Sequence, residues 1–260
     1  MPLIETHDMG PADEQFVGTC SHVNESDEID ATARRRLDWL GRMREKGLRV
    51  KVASINGTRV GFVYVMPIEI SPWGPLGREL MVIPCLYVLP DMQHQGVGRA
   101  LISEAEEEAR WQSRKGICTI GYVHDFWFMP AAFFEKLGFK EVSRKGTAAI
   151  MWKTYELDAE PPSFLLPNYV YRPEYRKVVV DLFWHSFCGT SNTEAQRVRE
   201  VVEEFGDQVV LHEYSADRRE TFYTNQIPRG IFINGKEIGW GYEAPKDGIR
   251  EAIKQELDRG

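Results

Sequence analysis

The segment that decides the fold runs from Cys85 to Ala109 and reads CLYVLPDMQHQGVGRALISEAEEEA. Its opening residues are apolar and end a predicted buried strand, which closes before Pro90. A short loop then leads through Gly96 and Gly98 into an amphipathic helix predicted over 98–113. Backbone amides at a helix N-terminus attract phosphate, and glycines allow a close approach. The segment therefore predicts a strand, a pyrophosphate-binding loop and a helix.

The loop differs from two familiar nucleotide motifs. Residues 93–98 read QHQGVG, which lacks the spacing of the dinucleotide fingerprint G-x-G-x-x-G. No Lys-Ser or Lys-Thr pair follows the glycines, as a P-loop requires.

The elements around this segment alternate between helix and strand. Asn56-Gly57 and Asn234-Gly235 each predict a tight hairpin turn. The predicted elements before residue 158 are a helix over 26–46, strands over 48–55, 59–66, 80–89 and 117–123, a helix over 131–137, and closing strands over 142–144 and 148–155. This order predicts an α/β domain with a mixed sheet flanked by helices.

Residues 158–174 contain four prolines and little periodicity, and they predict a linker. The elements predicted after it are a strand over 178–184, a helix over 189–205, a strand over 208–214, a hairpin over 230–240 and a helix over 245–257. We therefore expect a first domain over 1–157 and a smaller α/β domain over 175–260.

Two motifs in order resemble the GNAT superfamily of acyltransferases. The first is Leu86-Tyr87-Val88, then Gln93-x-x-Gly96-x-Gly98, which is similar to the family's Q/R-x-x-G-x-G/A signature. The second spans 132–139, AFFEKLGF, and resembles the family's helix-to-strand corner. The resemblance covers residues 4–156 and implies an N-acyltransferase that moves an acetyl group from acetyl-CoA to an amine of a small molecule or peptide.

The resemblance also implies where acetyl-CoA binds. The pyrophosphate is expected on the loop, the pantetheine arm along the strand before it, and the thioester carbonyl near the backbone N–H of Val88. The residues expected to contact the cofactor are Leu86, Tyr87, Val88, Gln93, His94, Gln95, Gly96, Val97, Gly98, Arg99 and Phe134.

The acid and base are less clear, because Phe134 stands where many family members carry a general-acid tyrosine. The remaining candidates in this sequence are His124, Glu79, Glu69, Asp125 and Tyr122. We rank His124 first and Glu79 second, and a loop histidine without catalytic function remains an equal alternative for His124. Acceptor specificity is expected from residues 18–45, 67–79 and 124–130, where Phe126, Trp127 and Phe128 form an apolar wall.

Residues 181–191 read DLFWHSFCGTS, a buried strand that ends in a cysteine at a predicted helix start. This segment resembles the active-site region of thioredoxin-like proteins, and the pair of domains resembles acetyltransferases with a YoaP-like C-terminal domain. Cys188 then takes the first cysteine position, Ser191 the second, and Pro228 that of a cis-proline. The helix start predicts a more acidic thiol at Cys188 than at Cys85 or Cys118. A domain used only for packing or substrate binding remains the favoured alternative to a thiol reaction.

Composition narrows the function classes. The 260 residues carry a net charge of −7 with no long basic cluster, which argues against a nucleic-acid partner. Arg34-Arg35-Arg36 lies among acidic residues and predicts a solvated helix face. The four cysteines, separated widely, favour neither a disulfide framework nor a metal site. We expect a cytoplasmic protein without a membrane partner or metal; the oligomeric state is left open.

Three functions therefore compete. The first is the N-acetyltransferase, the second a thiol-handling protein that acts through Cys188, and the third a non-catalytic acyl-CoA sensor. Acetyl-CoA binding and turnover discriminate between them.

Overall fold

A computed structural model describes residues 3–124 and 128–259. Its chain divides into two compact units, Met1–Val23 with Leu40–Leu165, and Asn24–Trp39 with Leu166–Gly260. The two units differ from the predicted domains in one respect. Residues 24–39 were predicted in the first domain but group with the second unit. No helix among the described residues is long and apolar enough to cross a membrane.

The first unit contains a mixed sheet with helices beside it. Its strands are β1 (Ile4–Asp8), β2 (Arg49–Ile55), β3 (Thr58–Pro67), β4 (Leu80–Val88), β5 (Gly116–Tyr122), β6 (Lys140–Lys145) and β7 (Ala148–Thr154). Its helices are α1 (Glu14–Gly18), the end of α2 (Asp27–Arg44), α3 (Val97–Trp111) and α4 (Ala131–Glu135). The strand order among the described residues is β1-β2-β3-β4-β5-β7-β6. Only β4 and β5 pair in parallel within that order.

The core of this unit lies between the sheet and α3. Leu101, Ile102 and Ala105 of α3 are buried against strand residues that include Val63 and Ile83. Their spacing places them on one stripe of the helix, which explains why an amphipathic segment folds onto the sheet. The predicted turn at Asn56-Gly57 is confirmed, since both residues have the positive φ that this hairpin requires.

The second unit is a smaller layered structure. Besides residues 24–39 it contains β8 (Val178–Trp184), α5 (Gly189–Glu203), β9 (Val209–Ser215), α6 (Arg219–Asn225), β10 (Gly230–Ile233), β11 (Lys236–Ile238) and α7 (Lys246–Leu257). The sheet order is β11-β10-β8-β9, with β8 and β9 parallel and the other pairs antiparallel. Val198, Ile249 and Ile253 from the helices join a buried cluster with β8 and β10. The expected α/β class, with a second sheet-containing region, is confirmed.

Candidate functional site

The central feature of the first unit is the place where β4 and β5 separate. Their parallel pairing ends at Ile83 and Thr119. Beyond that pair, residues 85–88 pair with β3, whereas residues 120–122 pair with β7. A cleft therefore opens between the carboxyl ends of the two strands.

The sequence explains why the strands part at this point. Pro84 follows the last pair and has no N–H to continue a ladder. The hydroxyl of Thr119 donates instead to the carbonyl oxygen of Ile83, at 2.7 Å in a buried position. The register of β3 with β4 also shifts here, since Tyr64 pairs with Cys85 but Met66 pairs with Val82. An irregularity of this kind bends a strand away from its neighbour.

The loop after β4 leaves the start of α3 accessible. A 3₁₀ turn at Pro90–Met92 is followed by His94 at φ +61° and Gly96 at φ +94°. Gly96 is the N-cap of α3, and the first helical hydrogen bond is donated by the N–H of Ala100 to the carbonyl oxygen of Gly96, at 3.0 Å. The N–H groups of residues 97–99 therefore have no acceptor within the helix. No acidic side chain lies in the first turn, so this terminus suits an anion.

The polar side chains of the loop support it or remain exposed. Gln93 donates to the carbonyl of Val88 at 3.4 Å, and Gln95 donates to that of Asp91 at 2.9 Å. His94 and Arg99 are exposed, and Val97 is buried in the core beneath the loop. The loop is thus held to the core by Val97, while its other side is exposed to solvent, as a phosphate site requires.

Gly98 of α3 lies beside Phe133 of α4. A Cβ added there would lie 3.1 Å from the ring of Phe133 and 4.0 Å from Leu86. Phe133 is therefore a neighbour of the loop that the sequence analysis missed. The available signal was the aromatic pair at 133–134, but sequence alone does not tell which ring faces the loop.

Phe134 occupies a different place from the one expected. Its side chain is fully buried, with ring centroids 5.1 Å from Phe133 and 5.5 Å from Phe139. The prediction that Phe134 contacts the cofactor is therefore corrected, because the structure makes it a core residue and leaves Phe133 against Gly98.

His124 and Tyr122 lie together at the carboxyl end of β5. The His124 side chain is exposed, and its ring centroid lies 5.8 Å from that of Tyr122. Tyr122 is partly buried beside Phe128, and burial raises the pKa of its phenol. The Tyr122 hydroxyl is therefore protonated at neutral pH and able to donate. The predicted candidates Asp125, Phe126 and Trp127 lie outside the described residues.

Glu79 and Glu69 lie at the other end of β4. The Glu79 carboxylate is 3.0 Å from the ammonium group of Lys115, and the Glu79 N–H donates to Glu69 at 2.6 Å. Glu69 also forms an ion pair with Arg114. At about 3.3 Å per residue, β4 places Glu79 roughly 25–30 Å from Val88. The structure therefore does not bring Glu79 together with His124.

Cys188 has the helix-start position that the sequence predicts. It is the N-cap of α5, is partly exposed, and donates its N–H to Nδ1 of His185 at 3.4 Å. His185 is completely buried, which, with the charges of Arg229 and Arg36, lowers its pKa to about 3. The Ser191 hydroxyl accepts the His185 N–H at 3.0 Å.

Two expectations about thiols and proline are corrected. Cys85 is partly exposed rather than buried, since it lies on the part of β4 that has left β5. Cys118 is fully buried, as expected, and burial strongly raises its thiol pKa. The peptide bond before Pro228 is trans, unlike that of the expected cis-proline.

Within 3–124 and 128–259, no three His, Cys, Asp or Glu side chains converge as a metal site would need.

A family model and several solved structures are similar to parts of this chain. Residues 46–141 match the family model of the GNAT acetyltransferase domain. The matched range includes β4, the loop, α3 and β5. No curated protein matches the sequence.

The solved structures similar to this chain cover 58–63% of it. PaiA N-acetyltransferase of Thermoplasma acidophilum, solved with coenzyme A, is 20% identical over 59% of this chain and 99% of its own, with a TM-score of 0.41. A GNAT family acetyltransferase of Brucella melitensis, solved with acetyl-CoA, is 16% identical over 63% and 94%, with a TM-score of 0.41. A ribosomal-protein-alanine N-acetyltransferase of Brucella melitensis is 20% identical over 58% and 99%, with a TM-score of 0.42.

Proposed function

We propose that the first unit is an N-acetyltransferase that moves an acetyl group from acetyl-CoA to an amine of a small molecule or peptide. The observation that carries this proposal is the parting of β4 and β5 after Ile83 and Thr119, directly before the accessible N-terminus of α3. An anion site thus adjoins a cleft whose one wall is an unpaired strand edge. A bound thioester needs both features.

The residues present fit acetyl-CoA. The N–H groups of residues 97–99 suit the pyrophosphate, since Gly96 brings no side chain into their approach. The edge of residues 85–88 that faces away from β3 suits amide groups of the pantetheine arm, as an added strand would.

His124 and Tyr122 supply the proton transfers in this proposal. The acceptor amine attacks the thioester carbonyl, its N–C bond forms, and the C–S bond breaks. His124 accepts the proton that the amine loses, and Tyr122 donates one to the departing thiolate. The backbone N–H near Val88 polarises the carbonyl.

The experiment measures binding and turnover separately. Isothermal titration with acetyl-CoA and with coenzyme A gives affinity, and thiol release with a panel of small amines and short peptides gives the rate. Binding with acceptor-dependent thiol release supports the transferase. Binding without release across the panel supports an acyl-CoA sensor, and absence of binding removes both.

We propose further that the second unit has a thioredoxin-type fold and that Cys188 provides a thiol function separate from acetyl transfer. The order β8-α5-β9-α6-β10-β11-α7, with β8 at the centre beside β9 and β10, supports the fold. Cys188 at the start of a 15-residue helix supports the thiol function. Mixed-disulfide formation with glutathione, followed by mass spectrometry, tests it; Cys188→Ser should abolish the adduct and Cys20→Ser should not.

The cysteines also bear on location. The four are free thiols, which supports our proposal that the protein works in the reducing cytoplasm.

A further inference from the structure

The second unit contains a groove of about 650 Å³ between three helices. The first half of α2, the middle of α5 and the start of α7 line it. All of these segments belong to the second unit. A volume of this size falls within the range of small-molecule sites, roughly 300–1,000 Å³.

Most charged groups of the groove already have partners. Arg197 forms two hydrogen bonds to Glu28, at 2.8 and 2.6 Å, and an ion pair with Glu243 at 2.7 Å. Lys246 lies 2.5 Å from Glu200. The opposite charges within each pair neutralise each other, and the pairs connect the helices that line the groove.

Arg35 is different, because part of its guanidinium has no partner. Its Nε and Nη2 are buried and have no hydrogen-bond partner. The charged groups that act on it are Arg199 and Arg34, and together with burial they lower its pKa. Arg199 itself is committed to Glu213, at 2.9 and 2.5 Å. The Glu213 carboxylate is therefore paired elsewhere, and buried guanidinium nitrogens without a partner are costly unless an anion completes them.

Asp27 stands at the other end of the same helix face. It lies eight residues before Arg35, which is about 12 Å at 1.5 Å per residue. Among residues 3–124 and 128–259, no cation lies within ion-pair distance of its carboxylate. Ala31 lies between the two and leaves space along the groove floor. The groove thus contains one positive group, the Arg35 guanidinium, and one negative group, the Asp27 carboxylate, that form no ion pair with the other groups of the groove.

We propose that this groove binds a short peptide or similar small zwitterion, whose carboxylate pairs with Arg35 and whose ammonium group pairs with Asp27. An extended tripeptide spans about 10 Å between its termini, which is close to the rise of about 12 Å between the backbone positions of the two residues. The planar guanidinium forms two hydrogen bonds to a carboxylate. Arg35 is only partly buried and lines the groove, so a turn of its side chain presents these donors to the ligand. The proposal is independent of acetyl transfer.

Titration calorimetry with the full-length protein tests the proposal, and triglycine is the probe. Triglycine amide lacks the carboxylate and N-acetyl-triglycine lacks the ammonium group. We expect each capped peptide to bind the unaltered protein about ten-fold more weakly or worse, as the loss of a charged hydrogen-bonded pair implies. Equal affinity for triglycine and its amide, or binding of inorganic phosphate in preference to triglycine, overturns the proposal.

Variants supply an independent test. Arg35→Gln should lose the same affinity as the amide-capped probe, whereas Arg34→Gln, at the exposed neighbouring position, should bind normally. Without peptide, Arg35→Gln should unfold at higher urea than the unaltered protein, because it removes a partly buried cation whose Nε and Nη2 have no partner. A destabilised Arg35→Gln would make Arg35 a structural residue and overturn the proposal.

Discussion

The phosphate loop can be tested at Gly96, where conformation and charge can be separated. Gly96 has φ +94°, and an added Cβ would meet only Ile4, at 3.6 Å. Any non-glycine residue there costs about 1–2 kcal/mol of stability through backbone strain, less for Asn. Gly57 is the matched control, since it has φ +75°, lies in an open hairpin turn, and is remote in sequence from the loop.

The effect on coenzyme A follows from the added charge. Two like charges about 4 Å apart repel by about 1 kcal/mol in water and about 4 kcal/mol at an effective dielectric of 20. Gly96 is exposed, so the lower part of this range applies. We expect Gly96→Asp to weaken coenzyme A binding by roughly 1–2 kcal/mol, about five- to thirty-fold, relative to Gly96→Asn.

Titration calorimetry of coenzyme A measures the affinities, and urea unfolding measures the stabilities. Gly57→Asp should lose stability as Gly96→Asp does but keep its affinity. Higher salt should reduce the difference between Gly96→Asp and Gly96→Asn, because the charge is exposed. A folded Gly96→Asp protein with unchanged affinity would show that the phosphate does not bind this loop.

Four other predictions follow from the structure. His124→Ala should lower kcat about 100-fold or more, as loss of a general base does, with little change in acetyl-CoA affinity; normal turnover would leave Tyr122 as the next residue to test. A thiol reagent near pH 7 should label Cys188 before Cys118, because Cys118 is fully buried with a raised pKa, and peptide mass spectrometry would reveal the opposite order. Cys188→Ser should leave acetyl transfer to a simple amine intact, so a ten-fold loss (about 1.4 kcal/mol of barrier) would contradict a separate thiol function. His185 stays neutral in the folded state down to about pH 3, but it titrates near 6.5 when the protein is unfolded. The free energy of unfolding should therefore fall by up to about 1.4 kcal/mol per pH unit as the pH decreases between these two values. In urea titrations, His185→Gln should reduce this dependence on pH.

The elements that the sequence predicted are those with strong local signals. The hairpin at Asn56-Gly57 was predictable because its turn needs residues that tolerate positive φ, and the end of β4 was predictable because Pro90 stops a strand. Strand β1 was missed, since its sequence IETHD has no apolar alternation and it forms the edge of the sheet. Helix α6 was missed because seven residues are too few to show a helical period.

The sequence by itself determined the chemistry of the loop, because Gly96, the following helix and the preceding apolar strand are neighbours along the chain. The tertiary structure alone decided which residues that are far apart in sequence lie close together in space. It separated Glu79 from His124 by the length of β4, and it turned Phe133 rather than Phe134 towards Gly98. It also left two buried nitrogens of Arg35 without a partner, where the charge pattern predicts a solvated helix face. The physical reason is that strand pairing, register and helix rotation depend on contacts far apart in sequence, and the local pattern does not encode them.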